Sequence, residues 1–160
     1  MAVMLQCCKT VQQRKETAIV MDLGVKGKVA LITGGSKGIG LHTAIILAKE
    51  GARIAIVARN EEHLQTAAKR IAEESGIDAL VISADVTKED QCRLAVEKTV
   101  QTYGRLNILV NNAGTANAKP FEEVDESLWQ YDLDLKLHAA IRFSRLAVPH
   151  MRKAGGGAIV

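Results

Sequence analysis

Five short apolar runs set the pattern of this chain. They are Val29 to Thr33 (VALIT), Arg53 to Ala58 (RIAIVA), Ala79 to Ser83 (ALVIS), Leu106 to Val110 (LNILV) and Ala158 to Val160 (AIV). None alternates cleanly between apolar and polar, so each predicts a strand buried on both faces, as in a parallel sheet covered by helices. Helical spacing fills the gaps between them. Ile39, Thr43, Ile46 and Leu47 predict the apolar face of a helix over Ile39 to Glu50, stopped by Gly51. Asn60 predicts the cap of a helix reaching Ser75, with Leu64, Ala68 and Ile71 turned inward. Thr87 and Asp90, in TKED, predict a capping box before a helix reaching Tyr103. Strands and helices in strict alternation, joined by right-handed crossovers, give an α/β fold: a doubly wound parallel sheet, or Rossmann fold.

A loop from Asn111 to Asp125 leads to the longest predicted helix, Glu126 to Lys153. It carries two apolar stripes, one of Leu133, Leu137, Ile141 and Val148, the other of Leu135, Ala139, Phe143 and Leu146. One stripe is expected on the sheet. The other predicts either a subunit partner, making the protein a homo-oligomer through residues 126–153, or a generously apolar core helix.

Composition excludes several classes. Lys and Arg outnumber Asp and Glu by 21 to 18, and that net +3 is too weak and scattered for nucleic acid. Aromatic residues make up only 3%, which leaves no stacking platform for single strands. Cys7, Cys8 and Cys92 have no metal-ligand spacing and form no disulfide framework, so no metal is expected and a cytoplasmic setting is. No apolar run approaches the roughly 18 residues of a membrane span. Residues 1–21 lack a secretory pattern and read as a flexible extension, with Met21 as an alternative start and a short targeting arm as the rival reading. Residues 22–160 then form one domain.

The first strand runs into LITGGSKGIG, with Gly34, Gly38 and Gly40 spaced as TGxxxGxG. Between a strand and a helix, such a loop can lay a phosphate over free backbone N–H groups at the positive end of the helix dipole. The spacing is neither GxGxxG nor a P-loop. The second strand ends in VARN, with Arg59 where an NAD-binding chain carries an acid that holds the ribose 2′-hydroxyl. Removing that acid removes repulsion of a 2′-phosphate, Arg59 can pair with it, and Lys37 adds a second positive charge. NADP(H) is therefore expected in preference to NAD(H). The missing acid also argues against a methyltransferase or FAD-type domain.

These residues resemble the short-chain dehydrogenase/reductase family. Thr33-Gly34-Gly35-Ser36-Lys37-Gly38-Ile39-Gly40 matches its cofactor motif, and Asp85-Val86 its adenine-contacting pair. Asn111-Asn112-Ala113-Gly114 matches its NNAG motif, and Pro149-His150-Met151 with Gly155 to Val160 its passage into strand five. The resemblance implies hydride transfer between a nicotinamide and a small-molecule carbonyl or alcohol. It implies cofactor contacts from Thr33, Gly34, Ser36, Lys37, Gly38, Ile39, Gly40, Arg59, Asp85, Val86, Asn112, Ala113 and Gly114. The family's catalyst is a Tyr with a Lys four residues on, plus a Ser and often a relay Asn. Tyr103 is followed at that spacing by Asn107 and Tyr131 by Leu135, so no such pair exists here. The resemblance implies a sheet that continues past the fifth strand, so the Rossmann sheet is expected to be incomplete here. The catalytic Ser, Tyr and Lys are expected outside these 160 residues, leaving the chain alone inactive. Lys136 stands at the relay position, a departure from the family. A 3-oxoacyl-carrier-protein-reductase-like enzyme is the narrower expectation. The rival readings are a non-catalytic dinucleotide-binding or interaction module, and a nucleoside-sugar epimerase, which the TGxxxGxG spacing disfavours.

Overall fold

The computed structural model describes residues 23–116 and 118–160; the expected extension over 1–21 lies outside them. Five parallel strands form one sheet: β1 (Val29–Thr33), β2 (Arg53–Ala58), β3 (Leu80–Ser83), β4 (Ile108–Val110) and β5 (Ala158–Ile159). Their spatial order is β3-β2-β1-β4-β5. The chain therefore steps outward from β1 in one direction, then returns and continues in the other. Between β1 and β4 the winding reverses, and the connections leaving those two strands diverge to opposite faces. That divergence opens a crevice at their carboxyl ends, where α/β sheets bind ligands.

Helices cover both faces, as the unalternating strands require. α1 (Gly38–Lys49) and α2 (Glu61–Ser75) pack on one side, against Ala30, Ile32, Ile54 and Ile56. α3 (Glu89–Tyr103) and the last helix pack on the other, against Val29, Leu31, Ala55 and Val57. β1 is buried at every position. β3 is only partly buried, and β5 is exposed.

Three local expectations need correction. The face of α1 that meets the sheet is Gly40, Leu41, Ala44, Ile45 and Ala48, whereas Ile39 and Ile46 point to solvent. The start of α1 is pressed against the glycine loop at Gly40, where a Cβ would meet the Gly34 carbonyl and the Asn112 amide. That close approach turns Leu41 and Ile45 onto the sheet in place of Ile39 and Ile46. The TKED capping box does not form. Lys88 is the N-cap of α3 and makes no side-chain cap bond, because Thr87 donates instead to Asp85. The helix expected over 126–153 is three segments: α4 (Glu126–Leu133), a π turn (Asp134–His138) and α5 (Ala139–Lys153).

The π turn has a packing consequence. Stepping by four residues, a straight helix rotates its stripe by about 40° each time. The wider turn offsets part of that drift, so Leu135, Ala139, Phe143, Ala147 and Met151 all reach the core. Asp134 locks the turn, accepting from Gln130, from the His138 ring and from Arg142, which also donates to the Thr87 carbonyl at 2.9 Å. These donors, His138 first, hold the Asp134 carboxyl below its usual range. The other stripe is left uncovered: Leu133, Leu137 and Ile141 are each about half exposed, and Trp129 joins them beside Phe121. Among the described residues no helix is long and apolar enough to cross a membrane.

Candidate functional site

The crevice is built by a clamp between the ends of β1 and β4. The Thr33 hydroxyl donates to the Val110 carbonyl at 3.3 Å and accepts from the backbone N–H groups of Asn112 and Ala113, each at 3.0 Å. Its donor and both lone pairs are then engaged. In return the Asn112 side-chain amide donates to the carbonyls of Thr33 and Gly34, at 3.0 and 3.2 Å. Both residues are thus positioning groups, holding the glycine loop over the strand ends. Asn111 acts through its backbone, donating to the Val160 carbonyl at 2.7 Å.

This clamp explains two of the loop's glycines. A Cβ on Gly40 would lie 2.5 Å from both the Asn112 amide nitrogen and the Gly34 carbonyl oxygen. One on Gly34, whose φ is +66°, would meet the same amide at 2.8 Å. These glycines are demanded by the protein's own packing. Gly38 is different: its φ is +53°, and a Cβ there would meet nothing within 4 Å. It leaves the backbone bare toward open space.

The start of α1 is electrically open. Asn60 caps α2 by accepting from His63 N–H, and Asp125 caps α4 by accepting from Leu128 N–H. Lys37, the N-cap of α1, makes no such bond. The helical ladder starts at Leu41, which donates to the Lys37 carbonyl, so the N–H groups of Gly38, Ile39 and Gly40 precede it. An uncapped helix start with bare backbone beside it fits an anion.

A cleft of about 700 Å³ runs from this loop across the strand ends, past Ser36, Lys37, Arg59, Val86, Ala113 and Gly114. The loop, the end of β2, the turn after β3 and the NNAG turn all border it, so most of the scattered candidate residues converge; Thr33, Gly40 and Asp85 do not line it. Arg59 makes no ion pair among the described residues; its Nη1 donates to the Tyr131 hydroxyl at 3.1 Å. Asp85 has one carboxylate oxygen committed to the Thr87 N–H and hydroxyl, both at 2.9 Å, and its own N–H donates to Gln91. The second oxygen takes no hydrogen bond among the described residues. Asn60, His63, Thr115, Ala116 and Leu135 also line the cleft. His63 was findable, since it sits on the first turn of a helix leaving the same sheet edge. Leu135 was not, because the π turn that aims it leaves no periodic signal.

Lys136 lies apart from this cluster. Its ammonium pairs with Asp132 at 2.6 Å, one turn back on the helix, and its side chain is about half exposed. Ser127 donates to Asp125 and helps start α4. Cys92 is buried with its thiol on the Val86 carbonyl, and burial pushes its pKa up to about 11, so it stays a neutral packing group. Among the described residues no group of His, Cys, Asp and Glu could hold a metal ion.

A family model described as short chain dehydrogenase matches residues 28–160. The chain belongs to the short-chain dehydrogenase/reductase family. L-Sorbose reductase from Gluconobacter frateurii, solved with NADPH and L-sorbose, is 44% identical with a TM-score of 0.83, covering 87% of this chain and 53% of that one. An NAD+-bound xylitol dehydrogenase is 32% identical at a TM-score of 0.80, covering 84% and 52%. 11-beta-hydroxysteroid dehydrogenase A from Sesamum indicum is 38% identical over 85% of this chain and 39% of its own length. The chain thus spans roughly half the length of such short-chain dehydrogenases or less. These relatives are oxidoreductases of the Rossmann type, and one carries NADPH where another carries NAD+.

Proposed function

We propose that residues 22–160 are the dinucleotide-binding unit of an NADP(H)-dependent oxidoreductase acting on a small carbonyl or alcohol. The observation that carries this is Arg59, an uncompensated guanidinium on a cleft that opens over an uncapped helix start. The bound group would supply a hydride-exchanging nicotinamide. The N–H groups from Ser36 to Gly40 would hold its pyrophosphate. Arg59 and Lys37 would hold the 2′-phosphate, each as a charge-assisted contact. The free oxygen of Asp85 would accept from the adenine amino group and Val86 N–H would donate to the ring. Ala113 and Gly114 would border the nicotinamide half, with Thr33 and Asn112 positioning the loop. The G. frateurii neighbour's NADPH supports this preference; the NAD+-bound neighbour shows that fold alone does not decide it.

The chain contains no Tyr-x-x-x-Lys, so in this reading it holds the nucleotide and does not turn substrate over by itself. Lys136, paired to Asp132, is read as a helix residue rather than a catalytic one. The relatives named lend no support to a 3-oxoacyl-carrier-protein substrate. Three cysteines without a framework support a reducing, cytoplasmic setting.

Arg59→Ala is expected to weaken NADPH binding by about 10- to 100-fold while leaving NADH within about twofold. Equal losses for both nucleotides in fluorescence titrations contradict the assignment. The uncovered stripe of Trp129, Leu133, Leu137 and Ile141 supports a second copy of the chain as partner. Ile141→Glu should then shift the sedimentation coefficient toward the monomer; an unchanged value removes this face from the interface.

A further inference from the structure

We infer that Tyr131 is a positioning residue for selectivity between the two dinucleotides, by holding the Arg59 guanidinium in place on the cleft. This rests on the reading above that Arg59 receives the 2′-phosphate. An arginine leaving an exposed strand end is otherwise floppy, and ordering its long side chain costs rotamer entropy at the moment of binding. Here the side chain is already tethered. Its Nη1 donates to the Tyr131 hydroxyl at 3.1 Å, a contact that spans 72 residues of sequence and joins the end of β2 to α4.

The tether is well anchored. Tyr131 is half-buried, its ring packed against the core cluster that includes Leu135 and Phe143. It lies one turn before Leu135, which lines the cleft. Asp125 fixes the start of α4 through its bonds to Leu128 N–H and the Ser127 hydroxyl.

The chemistry of the acceptor matters as much as its place. A carboxylate there would neutralise the guanidinium and repel a phosphate. A phenol carries no charge that would cancel the guanidinium, occupies one N–H, and leaves Nε and Nη2 without a hydrogen bond among the described residues, open to an incoming anion. Tyr131 therefore orders the cation without cancelling it. Its hydroxyl has no counterpart to act on in NADH, so the effect is confined to the phosphorylated nucleotide.

The test is a double-mutant cycle on the 160-residue chain, titrating NADPH and NADH into wild type, Tyr131→Phe, Arg59→Ala and the double variant. Tyr131→Phe keeps the packed ring, and its melting temperature checks the fold. NADPH affinity should fall about three- to tenfold in Tyr131→Phe, with NADH unchanged within about twofold. The double variant should bind NADPH no more weakly than Arg59→Ala. Unchanged or tighter NADPH binding by Tyr131→Phe, with Arg59→Ala still impaired, overturns the role of Tyr131 alone. A parallel loss for both nucleotides also overturns it, since that marks a general packing effect. Arg59→Ala without any change in selectivity, or a wild type that binds neither nucleotide, overturns the 2′-phosphate reading and this inference with it.

Discussion

Gly40→Ala should cost both stability and nucleotide binding, although it adds a single methyl group. The new Cβ would lie 2.5 Å from the Gly34 carbonyl oxygen, which is backbone and cannot swing aside. It would lie equally close to the Asn112 amide, whose two bonds hold the loop on the strand ends. Relief requires α1 to move outward or Asn112 to leave the Thr33 and Gly34 carbonyls, and both loosen the clamp. Overpacking of this kind costs about 1–3 kcal/mol. At this chain length each kcal/mol lowers the melting temperature by about 2–4 °C. Because the loop carries the N–H groups that face the cleft, NADPH affinity should also fall by about tenfold or more. A variant with unchanged melting temperature and affinity would mean that the clamp does not hold the loop.

Phe143→Ala should produce the larger loss of stability. Phe143 is fully buried and is the largest side chain completely removed from solvent in the described chain. It seats α5 against the sheet face formed by Leu31, Val57 and Leu109. Truncating a buried phenylalanine costs about 3–5 kcal/mol, including the cavity left behind. The melting temperature should drop by roughly 10 °C, read by circular dichroism. Ile141→Ala, two residues away on the exposed face, should change it little unless a second copy covers that face. A Phe143 variant that melts with the wild type would contradict the packing of α5 described here.

The residues that announced the fold did so through burial. VALIT and RIAIVA are apolar without alternation because helices cover both sides of β1 and β2, so the parallel sheet was legible. The lining of the candidate site was legible where a motif fixes a chain position, as with Arg59 after β2, which the structure places on the cleft. It was opaque where tertiary contact chooses. The inward face of α1 looked like Ile39 and Ile46 by periodicity, but close approach of Gly40 to Asn112 and Gly34 turns Gly40, Leu41, Ala44, Ile45 and Ala48 inward instead. TKED looked like a capping box, but Asp85 took Thr87 first. The π turn has no sequence period of its own, so the aim of Leu135 into the cleft was hidden. The Arg59–Tyr131 bond joins residues 72 positions apart, and no local pattern points to such a pair.

The central claim is that the uncapped start of α1, backed by the Thr33–Asn112 clamp and flanked by Arg59 and Lys37, is a bed for a 2′-phosphorylated dinucleotide. Calorimetric titration of the wild-type chain with NADPH and with NADH tests it most directly. The account predicts NADPH binding at least about tenfold tighter, a preference that shrinks as salt is added because it rests on exposed charges. NADH binding as tightly as NADPH, or more tightly, would contradict it.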